Sequence, residues 1–367
     1  MSSHPPTRVF RFAALAGLCA AALFGSVPSA SAQNCPGPAG FNKWLKGFKQ
    51  EAIAEGISPG TVASALNGVT YDRRVVAKDR AQGVFAQDFL TFQRRMANNN
   101  RLAAGKARLR KYASVFNQVE QQYGVPGPVL VAFWGLETDY GAFMGKMDSI
   151  RALATLSYDC RRPEKFRPQL MDALRVLDRG DLRRSQMIGP THGEVGQFQF
   201  QPSTYYKFAV DYDGDGRRDL VKSVPDSLAS AANYLAAKGW QPGQPWLEEV
   251  IVPKNLPWDQ ADVTIQRPRL FGSKYGVKYR NGQPIPDDAT PTALLLPMGR
   301  NGPAFLAYPN FINIYLDWNH SLVYSTTAGY FATRLAGAPP LRAGNPVPTS
   351  AAENKQIQRL LQRRGYD

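Results

Sequence analysis

Cysteine and histidine are scarce in this chain, three of each in 367 residues. A zinc centre of the Cys/His kind needs about four closely spaced ligands, and no such cluster exists here. No Gly-x-x-x-x-Gly-Lys or Gly-x-Gly-x-x-Gly loop is present to cradle a nucleotide. Long apolar runs are missing too, except for Phe12 to Val27 near the start. Acidic residues are outnumbered, 29 against 44 Lys and Arg, for a net charge of +15. Such a balance suits a polyanionic partner. The positive residues are scattered, with neither a long run nor an aromatic-rich binding signature, which argues against nucleic acid and leaves cell-wall polymer or an anionic membrane surface.

The apolar run follows Arg8 and Arg11 and precedes Ala30-Ser31-Ala32, the three zones of a secretory signal peptide over residues 1–32. The run is too short to span a bilayer comfortably. Leu18 before Cys19 lacks the small side chain that lipoprotein processing wants, so no lipid anchor is expected. An exported, periplasmic chain with no transmembrane segment after cleavage follows. Cys35 and Cys160 would remain, and in an oxidising compartment they are a candidate disulfide.

What is present is mostly helical spacing. Phe41 to Glu55 carries apolar residues at helical intervals, Ser58-Pro59 reads as a cap and first turn of a helix to Leu66, and Gln82 to Met96 carries Phe85, Phe89 and Phe92. Leu102 to Tyr123 predicts one long helix closing at Gly124. Further helices are expected over 149–158, 163–179, 226–238 and 324–335. Glu249–Val252 and Asp262–Ile265 alternate as short strands, and Phe311 to Leu316 fits a strand or a helix start. Residues 337–352 have the Pro/Gly/Ala composition of a linker, and 353–367 form a short basic helix.

Three features carry chemistry. Val131-Ala-Phe-Trp-Gly-Leu-Glu137 is an apolar helical run that ends in one carboxylate and breaks at Gly141. An apolar wall penalises the charged carboxylate and raises its pKa, which suits a general acid near neutral pH; a buried Glu paired with an Arg is the plainer reading. Gly189 to Pro202 is rich in glycine and glutamine, the composition of a loop that meets a ligand closely and offers both donors and acceptors. Asp211, Asp213, Asp215 and Asp219 with Gly216 follow the front of an EF-hand calcium loop; position 12 is Lys222, and the nearest suitable acid is Asp226. Four close carboxylates repel without a cation, so a structural Ca2+ (or Na+) is expected over 211–226.

Several motifs occur together in a fixed order: Gly124-Val-Pro126, Trp134-Gly-Leu-Glu-Thr-Asp-Tyr-Gly141, Ala152-Leu-Ala-Thr-Leu156, Gly196-Gln-Phe-Gln-Phe-Gln-Pro-Ser203, Ala209-Val-Asp-Tyr-Asp-Gly-Asp-Gly216, Ala232-Asn-Tyr-Leu235 and Trp318-Asn-His-Ser321. In this the chain resembles the membrane-bound lytic murein transglycosylase B family, glycoside hydrolase family 103, over about residues 40 to 336. The resemblance implies a mainly α fold, a lysozyme-like catalytic domain with additional helices and a small β-containing subdomain, spanning 33–336. It implies that Glu137 is the catalytic acid/base, that Gln199, Tyr234, Asn319, Tyr324 and Trp318 line the substrate cleft, and that Asp211, Asp213, Asp215, the Arg217 carbonyl and Asp226 fall on cation-ligand positions. Departures are Pro190-Thr191 where the family often has Ser-Trp, Glu194 within that loop, and Phe92 and Trp318 at positions of cleft tyrosines.

The implied partner is the peptidoglycan glycan strand, handled by a monomer with no catalytic cofactor. Hydrolysis of a glycosidic bond uses two carboxylates. A transglycosylase uses one, because the nucleophile is the 6-hydroxyl of the same muramic sugar. Two rivals remain at this point, a hydrolytic muramidase with Glu194 or Asp139 as second carboxylate and a non-catalytic wall-binding protein. The terminal helix resembles the first helix of a truncated peptidoglycan-binding module, or is a solvated basic tail.

Overall fold

Side-chain caps start most of the helices. Ser58, Asp72, Asp88, Asn98, Asp148, Ser223, Ser321 and Ser350 each accept a backbone N–H of the first turn that follows. Such a bond satisfies one of the donors that every helix start leaves open. The chain is seen in a computed structural model that describes residues 37–81, 87–347 and 349–366. The expected signal peptide and Cys35 lie outside the described residues; Cys160 is disulfide-bonded.

The helices are α1 (Phe41–Ala54), α2 (Pro59–Leu66), α3 (Arg73–Arg80), α4 (Phe89–Met96), α5 (Asn99–Lys111), α6 (Ala113–Tyr123), α7 (Gly127–Thr138), α8 (Ser149–Tyr158), α9 (Pro163–Asp178), α10 (Pro202–Phe208), α11 (Val224–Ala237), α12 (Arg269–Lys274), α13 (Leu316–Trp318), α14 (Leu322–Leu335) and α15 (Ala351–Arg363). Every residue of α7 from Val129 to Leu136 is buried. A helix with no polar face belongs at the centre, where each Val, Leu or Phe contributes about 1.5–3 kcal/mol on burial. It is surrounded by α5, α6, α11 and α14, while α8, α9 and α10 pack as a second group. Among the described residues no helix is long and apolar enough to cross a membrane.

The β part is small. Strands β1 (Met147–Asp148) and β2 (Ile188–Gly189) form an antiparallel pair beside the end of α7. Strands β3 (Leu247–Ile251), β4 (Arg267–Pro268), β5 (Lys278–Tyr279), β6 (Pro291–Leu295) and β7 (Ala304–Ala307) make a five-stranded antiparallel sheet in the order β4-β6-β7-β3-β5. A separate apolar cluster, with Val250, Val277, Ile285, Leu306 and Tyr308 buried, belongs to this sheet. The architecture is thus mainly α with a small sheet, the expected class.

Several local expectations fail for physical reasons. The long helix expected over 102–123 breaks at Tyr112 (φ −109°, ψ 27°), whose ring sits 6.1 Å from that of Trp134 and turns the chain around α7. Asp262–Ile265 is a turn: the Asp262 carboxylate takes both the N–H and the hydroxyl of Thr264, a local bond that competes with strand pairing. The very polar α3 gave no apolar period to read. Residues 337–345 do not hang free as a linker. Leu341 N–H bonds the Tyr330 hydroxyl at 3.2 Å, Arg342 N–H bonds Glu249 at 2.7 Å and Asn345 N–H bonds the Asn301 carbonyl at 2.7 Å. Phe311 to Leu316 is neither strand nor ordinary helix start, but lies in a π-helical turn over Asn310–Tyr315 leading into α13.

Candidate active site

Glu137 lies in the last turn of α7, four residues after Phe133, so both side chains share one helix face. Trp318 covers that face. Its ring stacks on Phe133 at 4.3 Å and its indole N–H donates to Glu137 Oε1 at 2.9 Å. Tyr324, in the first turn of α14, donates its hydroxyl to the same oxygen. Part of the Glu137 side chain reaches the surface. Burial nevertheless dominates and pushes its carboxyl above the usual range; the two donors pull the other way, and the charge of Glu194 adds to the rise. Burial also holds the Tyr324 phenol well above its ordinary value, so it stays a donor.

Both donors fall on Oε1. A neutral carboxyl carries its proton on the oxygen that does not accept, so the acidic proton of Glu137 belongs on Oε2. The arrangement therefore provides one carboxylic acid with its carbonyl oxygen fixed by two donors and its hydroxyl oxygen left for a substrate.

The chain turns sharply after Glu137. Asp139 (φ 51°) and Tyr140 (φ 64°) are left-handed, and so is Gln199 (φ 51°). They are the only non-glycine residues with positive φ among the described residues. Each such residue costs roughly 1–3 kcal/mol and persists only where its surroundings impose it. Here Arg101 pairs with Asp139 at 3.0 Å, its carbonyl takes the Tyr140 hydroxyl at 2.7 Å, and the Arg108 guanidinium lies 4.2 Å over the Tyr140 ring. The helix thus ends three residues before Gly141, where the sequence placed the break.

The glutamine-rich loop docks against this turn. Thr138 donates its hydroxyl to the Gln197 carbonyl at 2.7 Å. An ideal Cβ on Gly145 (φ 99°) would sit 2.1 Å from the Gly189 carbonyl carbon, and one on Gly189 would sit 1.8 Å from the Glu194 carbonyl oxygen. Only glycine allows the two backbones this close. Val195, Phe198 and Phe200 are buried, so the loop has an apolar anchor that its glutamines obscured. Gln197 is buried and structural, whereas Gln199 bonds the Gly196 carbonyl at 2.9 Å and reaches the Met144 carbonyl at 3.5 Å, joining the two loops.

Tyr234, from α11, meets Trp318 at 5.7 Å and Phe200 at 5.6 Å, with its hydroxyl donating to Asp317 at 3.2 Å. Asn319 accepts the Ser321 N–H at 2.9 Å and so shapes the start of α14. Trp318, Tyr324 and Tyr234 are brought together around Glu137; Gln199 belongs to the adjoining loop and makes no bond to Glu137. Phe92 is half-buried under the Arg95 guanidinium, 5.5 Å away.

The candidate second carboxylates differ. Asp139 is held by Arg101. Glu194 accepts from Gln201 at 3.0 Å through Oε1, while its Oε2 is buried with no protein partner. Sequence reasoning missed the group behind it: buried Asp79 of α3 takes Arg161, Arg162 and, at 3.0 Å, His192 Nε2, and His192 Nδ1 lies 3.9 Å from Glu194. Nothing in the sequence links residues that far apart.

In the acidic loop, carboxylate oxygens of Asp211, Asp213 and Asp226 lie within 4.8 Å of one another. Asp226 is fully buried and its pKa is raised by that burial, although it accepts N–H groups of Tyr212, Asp213 and Asp219. A hard cation would relieve this cost, and an all-oxygen donor set suits calcium. Asp215 lies outside the group of three, accepting the Arg217 N–H at 2.8 Å.

A family model described as the transglycosylase SLT domain matches residues 40–333. Membrane-bound lytic murein transglycosylase B of Escherichia coli (strain K12) is 31% identical over 244 residues, which are 65% of this chain and 64% of that relative. The match thus spans somewhat less than two thirds of the curated relative. The crystal structure of SltB3 from Pseudomonas aeruginosa in complex with NAG-anhNAM-pentapeptide is 40% identical with a TM-score of 0.83, over 89% of this chain and 88% of that one. The Escherichia coli lytic transglycosylase Slt35 in complex with calcium is 26% identical with a TM-score of 0.68, over 80% and 92%.

Proposed function

Because the chain belongs to the transglycosylase SLT domain family, we propose that it is a lytic murein transglycosylase. It cuts the β-1,4 bond between N-acetylmuramic acid and N-acetylglucosamine in peptidoglycan and leaves 1,6-anhydromuramic ends. The observation that carries this reading is a single acid, Glu137, whose Oε1 takes both donors. The bound fragment of SltB3, an anhydromuramic peptide, supports the choice of substrate.

In the first half-reaction Glu137 Oε2–H protonates the glycosidic oxygen, and the bond from that oxygen to the muramic C1 breaks. The N-acetyl carbonyl of the same sugar stabilises C1 as positive charge develops. Glu137 is now a carboxylate, and the donors from Trp318 and Tyr324 stabilise it. In the second half-reaction Glu137 takes the proton of the 6-hydroxyl, whose oxygen attacks C1 and closes the anhydro ring. The acid is regenerated, water is not consumed and one carboxyl serves both steps. Gln199, Asn319 and Tyr234 present amides and a ring to the sugars.

Asp211, Asp213 and Asp226, with Asp215 and the Arg217 carbonyl from the same loop, are the residues that would hold a calcium ion. The ion would neutralise the carboxylates and fix the start of α11, the helix that carries Tyr234. Calcium in the Slt35 crystal structure supports this assignment. The leader over 1–32 would export the chain to the periplasm without a lipid anchor, with Cys160 bonded to Cys35, and the enzyme would act as a monomer.

Digestion of purified sacculi followed by mass spectrometry tests the reaction: anhydromuropeptides are expected. Products with reducing ends would instead identify a hydrolase with Glu194 or Asp139 as second carboxylate, and sacculus binding without cleavage would identify a wall-binding protein.

A further inference from the structure

Phe143 is 73% exposed, far more than the other large apolar side chains near Glu137. A single exposed apolar residue is ordinary on a protein surface. This one differs because its backbone is fixed in the turn that follows Glu137. Phe143 N–H bonds the Thr138 carbonyl at 2.9 Å, Ala142 N–H bonds the Asp139 carbonyl at 3.4 Å, and Gly141 N–H bonds the Thr138 hydroxyl at 2.9 Å. Gly141 (φ 86°) and Gly145 (φ 99°) bound the turn, and Gln199 clasps the Met144 carbonyl at 3.5 Å. Tyr140, three residues earlier, points into the core, so the same turn sends one ring inward and one outward.

The aromatic residues near Glu137 are unlike in their surroundings. Trp318, Tyr324 and Tyr234 crowd against α7 and one another, and two of them are engaged with Glu137. The loops 138–146 and 189–201 bury Phe198 and Phe200 against these rings and otherwise offer amides and backbone, and Phe143 is the one large apolar ring they expose. An aromatic side chain on a fixed backbone has only two side-chain torsions to lose on meeting a flat apolar partner, and the C–H face of a pyranose is such a partner. Resting on the transglycosylase reading, we infer that Phe143 is a stacking platform for a sugar of the glycan strand beyond the four sugars that flank the cut bond. It makes the site prefer long strands to short fragments.

Binding separates this inference from the reaction itself. In the non-cleaving Glu137→Gln protein, affinity is measured for long glycan strands and for a tetrasaccharide. Adding Phe143→Ala should weaken strand binding about 3- to 10-fold, leave the tetrasaccharide affinity unchanged, and be rescued by Phe143→Trp. Unchanged strand affinity, or an equal loss on both lengths, overturns the inference. Loss of sedimentation with phosphatidylglycerol vesicles alongside normal strand binding also overturns it and assigns the ring to a membrane surface. If the Glu137-intact enzyme forms no anhydro products, the reaction fails while these binding results still decide the role of Phe143.

Discussion

Two buried carboxylates, Glu137 and Asp226, share a raised pKa with burial as its main cause, yet they are held in opposite ways. Asp226 accepts three backbone N–H groups through both oxygens. Glu137 accepts two side-chain donors on one oxygen and keeps the other free. Backbone donors on both oxygens favour a permanent anion and pin the chain. Donors on one oxygen permit the carboxyl to gain and lose a proton without moving. The difference teaches that burial alone does not set the part a carboxyl can play; the distribution of donors over its oxygens separates the acid proposed for the reaction from the one that pins a loop.

The largest expected break is at Glu137. Glu137→Gln should lower turnover of sacculi about 1,000-fold or more, read as release of anhydromuropeptides, because amide cannot deliver the proton. It should not unfold the protein. The folded pKa of Glu137 lies above its unfolded value, so the wild type loses stability as pH rises from the unfolded pKa through the folded one. The Gln variant lacks that loss, and its melting temperature relative to wild type should improve with pH across this window. A melting difference independent of pH would contradict the buried acid.

Tyr324→Phe removes one of the two donors on Oε1 and keeps the ring. A bond to a charged group contributes about 1.5–3 kcal/mol, so kcat should fall about 10- to 100-fold while the fold persists. An unchanged kcat would mean that Tyr324 does not stabilise the carboxylate between the two half-reactions.

Asp226→Asn should behave in the reverse sense. Its side chain cannot accept from all three N–H groups, so about 1–3 kcal/mol of stability should go, with kcat per folded molecule nearly kept. Calcium should raise the melting temperature of the wild type, and chelation should lower it, with little response in the variant. A variant that melts normally but turns over slowly would reverse the roles assigned to the two carboxylates.

The smallest effect is expected at Glu194. Its charge raises the Glu137 pKa, so Glu194→Gln should move the alkaline limb of the pH–rate profile to lower pH with KM unchanged. An unmoved limb would show that the Glu194 charge does not reach Glu137.

Glu137 was legible in sequence because its helix is apolar on every side, and such a run has few places to go but the core. The acidic loop was legible because its carboxylates lie within a few residues of one another. Trp318 and Tyr324 were found through resemblance to a family, since nothing in their own neighbourhood points to a glutamate nearly two hundred residues earlier. The His192–Asp79 group and the exposed Phe143 left no sequence signal.

By itself, then, the sequence determined the helical periods, the buried end of α7, the spacing of the acidic loop and the family. Tertiary structure alone decided which oxygen of Glu137 receives its donors, which of three glutamines ties its loop to the turn after Glu137, and that residues 341–345 of the supposed linker are pinned by hydrogen bonds. Periodicity and spacing are local and survive in a linear text. Hydrogen-bond geometry between α7, α13 and α14 exists only once the apolar faces of distant segments have been packed together.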